Sequence, residues 1–225
     1  MQQNRSQSTQ VQSPSEVHIE AFRCHCFELI HFGYQRLVPK SLQDEEEPAV
    51  TGKLIESIRC AMNVDDGPEW MNNFSIHDNA PVNVCGRTGK NRPIVDFQFE
   101  FVASGPRPLF RIEAKWLGTQ KTSIGSKEGY LGSEGIGCFL SGKYPANIGH
   151  AGMLGYIHSE DETVWAAKIE EHFRRNSAEL KVVKSNGQVW QRDKIQKGYH
   201  AFISVHACKA SIGTLKITHL FLRFC

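Results

Sequence analysis

Two strand-like runs, VDFQFEF over 95–101 and LFRIEAKWL over 109–117, flank the turn-rich segment VASGPRP. A chain with this pattern is committed to a β-hairpin. Side chains of an extended strand alternate between faces, so Asp96, Gln98 and Glu100 share one face of the first run. Glu113 and Lys115 share one face of the second. Pairing of the two runs lets two carboxylates and an ammonium group meet at one point. Carboxylate oxygens suit Mg²⁺, which keeps several of its waters and binds substrate phosphate. A lysine beside such an ion orients an attacking water or helps to deprotonate it.

The order is Asp96, sixteen intervening residues, then Glu113-Ala114-Lys115. It resembles the PD-(D/E)XK nuclease superfamily, whose metal site lies on such a hairpin. The first motif of that family is often Pro-Asp; here Val95 precedes Asp96 and Pro93 lies three residues before it. The resemblance implies that Asp96 and Glu113 bind metal, Mg²⁺ or Mn²⁺, and that the carbonyl of Ala114 adds a further ligand. Lys115 then positions the nucleophilic water. Many members also supply an acid from the first helix, a role that falls here to Glu47 and, after it, Glu46. Glu100 is a candidate to extend the metal shell.

The rest of the chain supplies the context. Residues 1–15, MQQNRSQSTQVQSPS, are polar without an apolar core, so they read as a disordered lead and not as a secretory signal. With 40% hydrophobic and 22% charged residues, residues 16–225 suit a single globular domain, nuclease-like by the resemblance. A net charge of +2 neither demands nor excludes a nucleic-acid partner, because the acidic run 44–47 can balance a basic groove elsewhere. No run of about 18 apolar residues exists, so no transmembrane helix is expected. Seven irregularly spaced cysteines, without a second pair at zinc-ligand spacing, point to reduced thiols and a cytoplasmic protein.

Along the chain, Val17, Ile19 and Ala21 alternate with polar residues, which predicts a strand at the start of the segment 17–38. DEEEPAVTGKLIESIRCAMN predicts a helix, with Pro48 in its first turn and a stripe of Val50, Leu54, Ile58 and Ala61. Residues 64–91 read as irregular, pinned by Trp70 and Phe74. After the hairpin, glycine-rich 121–145 predicts a helix close against the sheet. AGMLGYIHS predicts a buried strand. ETVWAAKIEEHFRRN predicts a helix capped by Asp161, with Val164, Ala167, Ile169 and Phe173 facing the core. Three more strands are expected in ELKVVKS, YHAFISVHAC and TLKITHLFLRF, with a turn at Asn186-Gly187. The sum is an α/β fold. Its order over roughly 44–180 matches the superfamily core, which implies a restriction-endonuclease-like mixed β-sheet flanked by α-helices.

Lys121, Lys127 and Tyr130 follow the hairpin and are candidates for phosphate contacts. His200, His206 and His219 lie on strands and read as core or structural groups; the same caution covers His150 and His158. The expected activity is Mg²⁺-dependent hydrolysis of DNA, with RNA sharing the chemistry. A nuclease domain of this size needs control, which suggests a bacterial anti-phage defence or restriction effector working with an NTPase or helicase, or as a homo-oligomer. The competing expectation is a catalytically silent subunit that binds nucleic acid or protein.

Overall fold

The computed structural model describes residues 16–64, 67–103, 107–118, 127–146, 148–185, 187–193, 195, 200–208 and 213–225. Twelve elements follow one another: α1 (Glu16–Gln35), α2 (Glu47–Met62), β1 (Phe74–Pro81), β2 (Ile94–Phe101), β3 (Leu109–Leu117), α3 (Lys127–Leu131), α4 (Ile136–Leu140), β4 (His150–Ile157), α5 (Glu162–Arg175), β5 (Gln191–Arg192), β6 (His200–Cys208) and β7 (Gly213–Arg223). The strands form one seven-stranded mixed sheet in the order β1-β2-β3-β4-β7-β6-β5. The centre, β3-β4-β7, is parallel, and both flanks are antiparallel. Every residue of β4 is buried, as a central strand covered on both faces requires.

Helices cover both faces. On one side, α1 and α2 pack Phe27, Ile30, Leu54 and Ile58 against Phe97, Phe110, Ile112 and Leu220. On the other, α3, α4 and α5 pack Tyr130, Phe139, Ile169 and Phe173 against Met153, Ile157 and Ile217. The strands alternate between these two cores: Phe110, Ile112 and Ala114 of β3 join the first, which turns Arg111, Glu113 and Lys115 toward the second. Where α1 crosses α2, a Cβ on Gly33 would lie 2.4 Å from Ile58 Cγ1, so only glycine allows this approach.

The predicted hairpin, the helix from Glu47 and the strands at β4, β6 and β7 are all present. Five readings need correction. The segment from Val17 is helix: the three-residue alternation is outweighed by the stripe Phe22, Cys26, Leu29, Ile30 and Gly33, which is helically spaced and buried. Residues 74–81 are not irregular but form edge strand β1, whose polar middle His77-Asp78-Asn79 is exposed and hides the alternation. The glycine-rich helix divides into α3 and α4, and between them the backbone turns back so closely that a Cβ on Gly135 would sit 2.1 Å from the Tyr130 carbonyl oxygen. In α5 the buried stripe is Trp165, Ala166, Ile169 and Phe173, rotated from the predicted face, while Asp161 caps as expected, accepting from the Thr163 and Val164 amides at 2.9 Å. ELKVVKS forms no strand but two isolated bridges, Val182 to His206 and Ser185 to Gln188, and Lys181 at φ 51° turns the chain. No helix among the described residues is long and apolar enough to cross a membrane.

Candidate active site

The site arises where β2 and β3 part. Their ladder runs from Glu100↔Leu109 to Phe97↔Ile112 and stops. Beyond it, the amides on the β2-facing edge of β3 need other acceptors. Carboxylates take them: Asp96 Oδ2 accepts from the Ala114 amide at 2.8 Å, and Glu47 Oε2 accepts from the Trp116 amide at 2.9 Å. The opposite neighbour also yields at this point. Asp78↔Phe97 and Ala80↔Val95 bracket Asp96, while Asn79 between them has φ 45°.

Lys115 fills the gap. Its Nζ donates to Glu113 Oε1 at 2.8 Å and to Glu47 Oε1 at 3.0 Å, and lies 3.9 Å from Asp96 Oδ2. Three segments distant in sequence therefore meet around one ammonium group. Its three carboxylate neighbours outweigh desolvation and raise its pKa, so it is firmly protonated. Glu113 is pushed up to about 7, first by burial and then by the Asp96 charge, against the pull of Lys115. Burial likewise raises Asp96. Glu113 Oε2 is buried and has no hydrogen-bond partner among the described residues.

The far wall comes from the α4–β4 connection. Tyr144 donates its hydroxyl to the Ile94 carbonyl at 2.5 Å. Burial, with the Glu113 charge behind it, raises the pKa of both Tyr144 and Cys138. Both groups are therefore neutral near the carboxylates.

Asp96, Glu113, Lys115 and Glu47 thus come together, with Ala114 between Asp96 and Trp116 in the same edge. Glu46 does not join them; it is exposed at the N-cap of α2. Glu100 turns to His77 at 3.3 Å and Arg107 at 3.4 Å. Tyr130 is withdrawn from any substrate: it is fully buried and its hydroxyl lies 2.9 Å from His219 Nδ1. An aromatic ring in a five-residue helix facing the sheet belongs to the core. Lys127 opens α3, and Lys121 lies outside the described residues.

Two of the histidines read as structural, His206 and His219, join one buried hydrogen-bond chain. His206 Nδ1 is 2.7 Å from the Leu180 carbonyl, so it is the donor, and Nε2 is left to accept from Ser204 at 2.7 Å. Ser204 then accepts from His219 Nε2 at 2.8 Å, and Tyr130 donates to His219 Nδ1. Every polar atom is satisfied only while both rings are neutral, and burial lowers both pKas, that of His206 to about 4.

Arg111 escapes the sequence reading, although R-I-E-A-K sets Arg111, Glu113 and Lys115 on one face. It is buried, donates Nη1 to the Pro145 carbonyl, and leaves Nε without a partner.

Among the described residues, no three His, Cys, Asp or Glu side chains are arranged around one point as a metal centre. Mg²⁺ needs only one or two protein carboxylates, the other positions going to water and phosphate. Asp96, the orphaned Glu113 Oε2 and the Ala114 carbonyl are oxygen donors of the right kind. No protein-family model matches the chain, and neither a curated protein nor a solved structure matches it.

Proposed function

We propose that this chain is a metal-dependent nuclease of the PD-(D/E)XK type, hydrolysing phosphodiester bonds of DNA on a restriction-endonuclease-like sheet. The observation that carries the reading is the convergence of Asp96, Glu113 and Lys115, joined by Glu47, at the point where β2 and β3 separate. Asp96, Glu113 and the Ala114 carbonyl would hold Mg²⁺ or Mn²⁺. When bound, the ion supplies charge neutralisation at the phosphate and a more acidic water.

The chain's own groups divide the remaining work. Lys115, protonated, donates hydrogen bonds and does not accept a proton; it orients the attacking water and offsets charge gathering on the phosphate oxygens. Glu47 fixes Lys115 with one oxygen and the Trp116 amide with the other, so the ammonium group is held before substrate arrives. Burial of Glu113 and the neutral Tyr144 and Cys138 keep the local dielectric low, which strengthens each of these interactions. The setting that fits a bare nuclease domain is a cytoplasmic bacterial defence or restriction effector governed by an NTPase or helicase partner. RNA offers the same phosphodiester and is the control substrate.

One observation favours a second reading. Lys115 already occupies the middle of the carboxylate cluster, as it would in a catalytically silent binding subunit. Incubating the purified chain with plasmid DNA in Mg²⁺, Mn²⁺ or EDTA, beside Asp96→Ala and Lys115→Ala, decides between them. The nuclease reading expects metal-dependent cutting that both variants lose. Equal cutting by all three proteins refutes the site; absence of cutting, with the partner present, leaves the silent subunit.

A further inference from the structure

Arg111 carries a buried charge for which the described residues provide no counter-charge. It is 6% exposed and, among the described residues, makes no salt bridge. Arg23, 5% exposed, shows the ordinary solution: Glu20 lies at 2.7 Å and Asp193 at 2.5 Å. Among the described residues, Arg111 has the Pro145 carbonyl alone, and its Nε is orphaned. A desolvated cation without an anion destabilises a fold, so the residue is best explained by an anion that arrives from outside.

Its position says which anion. Arg111 and Glu113 are two residues apart on β3, so they point to the same face about 7 Å apart. Arg111 pairs with Gln98, and Gln98 pairs with His77, a polar row across three strands. This row lies one pleat from the row of Asp96 and Glu113. Guanidinium presents its donors in a planar fork that matches two phosphate oxygens. We propose that Arg111 binds a backbone phosphate of the DNA strand next to the phosphate held at Asp96 and Glu113, with Gln98 as a hydrogen-bonding neighbour. The choice of DNA as ligand rests on the reading given under Proposed function; the need for an anion does not.

The test is Arg111→Met, which keeps an unbranched apolar stem and removes the guanidinium and its charge. Binding of a labelled duplex oligonucleotide is followed by anisotropy in EDTA over a series of KCl concentrations, beside urea unfolding of both proteins. The expected result is at least about tenfold weaker binding and a log–log salt slope smaller by roughly one, with stability equal to or above wild type. A purely structural arginine gives the reverse: lower stability and unchanged binding. Unchanged affinity and slope overturn the proposal, as does a wild-type chain that binds no DNA. Stabilisation by inorganic phosphate without any change in DNA affinity also overturns it, assigning the site to a free anion. If Arg111→Met does not fold, Arg111→Lys carries the test: it keeps charge and loses the fork, so binding weakens at constant slope. The titration needs no metal and no cleavage, so it remains decisive even where the plasmid assay shows no cutting, and Asp96→Ala is expected to bind through Arg111 while cutting nothing.

Discussion

Glu113→Gln separates the electrostatic cost of the site from its packing. The substitution keeps the shape of the side chain and removes a carboxylate that burial has driven up to about 7 from an ordinary 4.5. A folded-state pKa above the unfolded one means that the native protein holds the proton more tightly. This favourable contribution is complete below pH 4.5 and is lost as pH rises through about 7. From 4.5 to about 7, at about 1.4 kcal/mol per pH unit, wild type loses up to roughly 3 kcal/mol. The amide that replaces the carboxyl does not titrate, so the variant escapes the loss. Loss of the charge partner of Lys115 reduces the gain, which brings the expected advantage of the variant to about 1–3 kcal/mol at pH 8 relative to its standing at pH 4.5. The assay is urea unfolding of both proteins in EDTA at half-unit steps from pH 4.5 to 9, read as the difference between them. Common titrations, including those of the histidines, cancel in that difference. A difference that stays flat with pH, or that favours wild type as pH rises, refutes the picture of Glu113 as a strained, desolvated carboxylate.

Lys115→Met leaves three carboxylates facing one another and should lower stability at pH 8 by about 3 kcal/mol in EDTA, with Mg²⁺ restoring part of the melting temperature; an unshifted melting temperature in EDTA contradicts the arrangement. NMR of ring nitrogens should find His206 as the Nδ1–H tautomer and His219 as the Nε2–H tautomer at pH 7, both neutral at pH 5; a protonated ring at pH 5 contradicts the hydrogen-bond chain. Gly33→Ala should cost about 1–3 kcal/mol by forcing α1 from α2, measurable as a lowered urea midpoint, whereas Gly52→Ala, with open space around it, should be neutral or stabilising.

The carboxylates and lysine are legible because strand alternation is a local rule: Asp96, Glu113 and Lys115 declare their faces within a few residues. Glu47 is reachable through the helix stripe it precedes. What sequence withholds is long-range. That Glu47 spends one oxygen on the Trp116 amide depends on where β2 and β3 stop pairing, and no short window encodes a ladder's end. Tyr130 looks available because its neighbours are polar and glycine-rich, but its burial is decided by His219, 89 residues away. β1 escapes notice because an edge strand carries polar residues on a middle stretch that the sheet does not cover. Arg111 lies in plain view and is easily passed over, since a charge becomes conspicuous only when its missing counter-charge is known.

β7 is the last of the seven strands in sequence, yet it lies between β4 and β6 in the sheet. Until β7 inserts, β4 lacks its second neighbour, and β3, which pairs with β4, has no stable backing. Loop closure over such distances is slow, so assembly of the sheet waits on its most remote pairing. During synthesis, then, the amides of Ala114 and Trp116 and the ammonium of Lys115 are expected to find their carboxylates only after β7 has emerged. On the nuclease reading proposed above, a growing chain that already carries Asp96, Glu113 and Lys115 would then be unable to cut while it is being made.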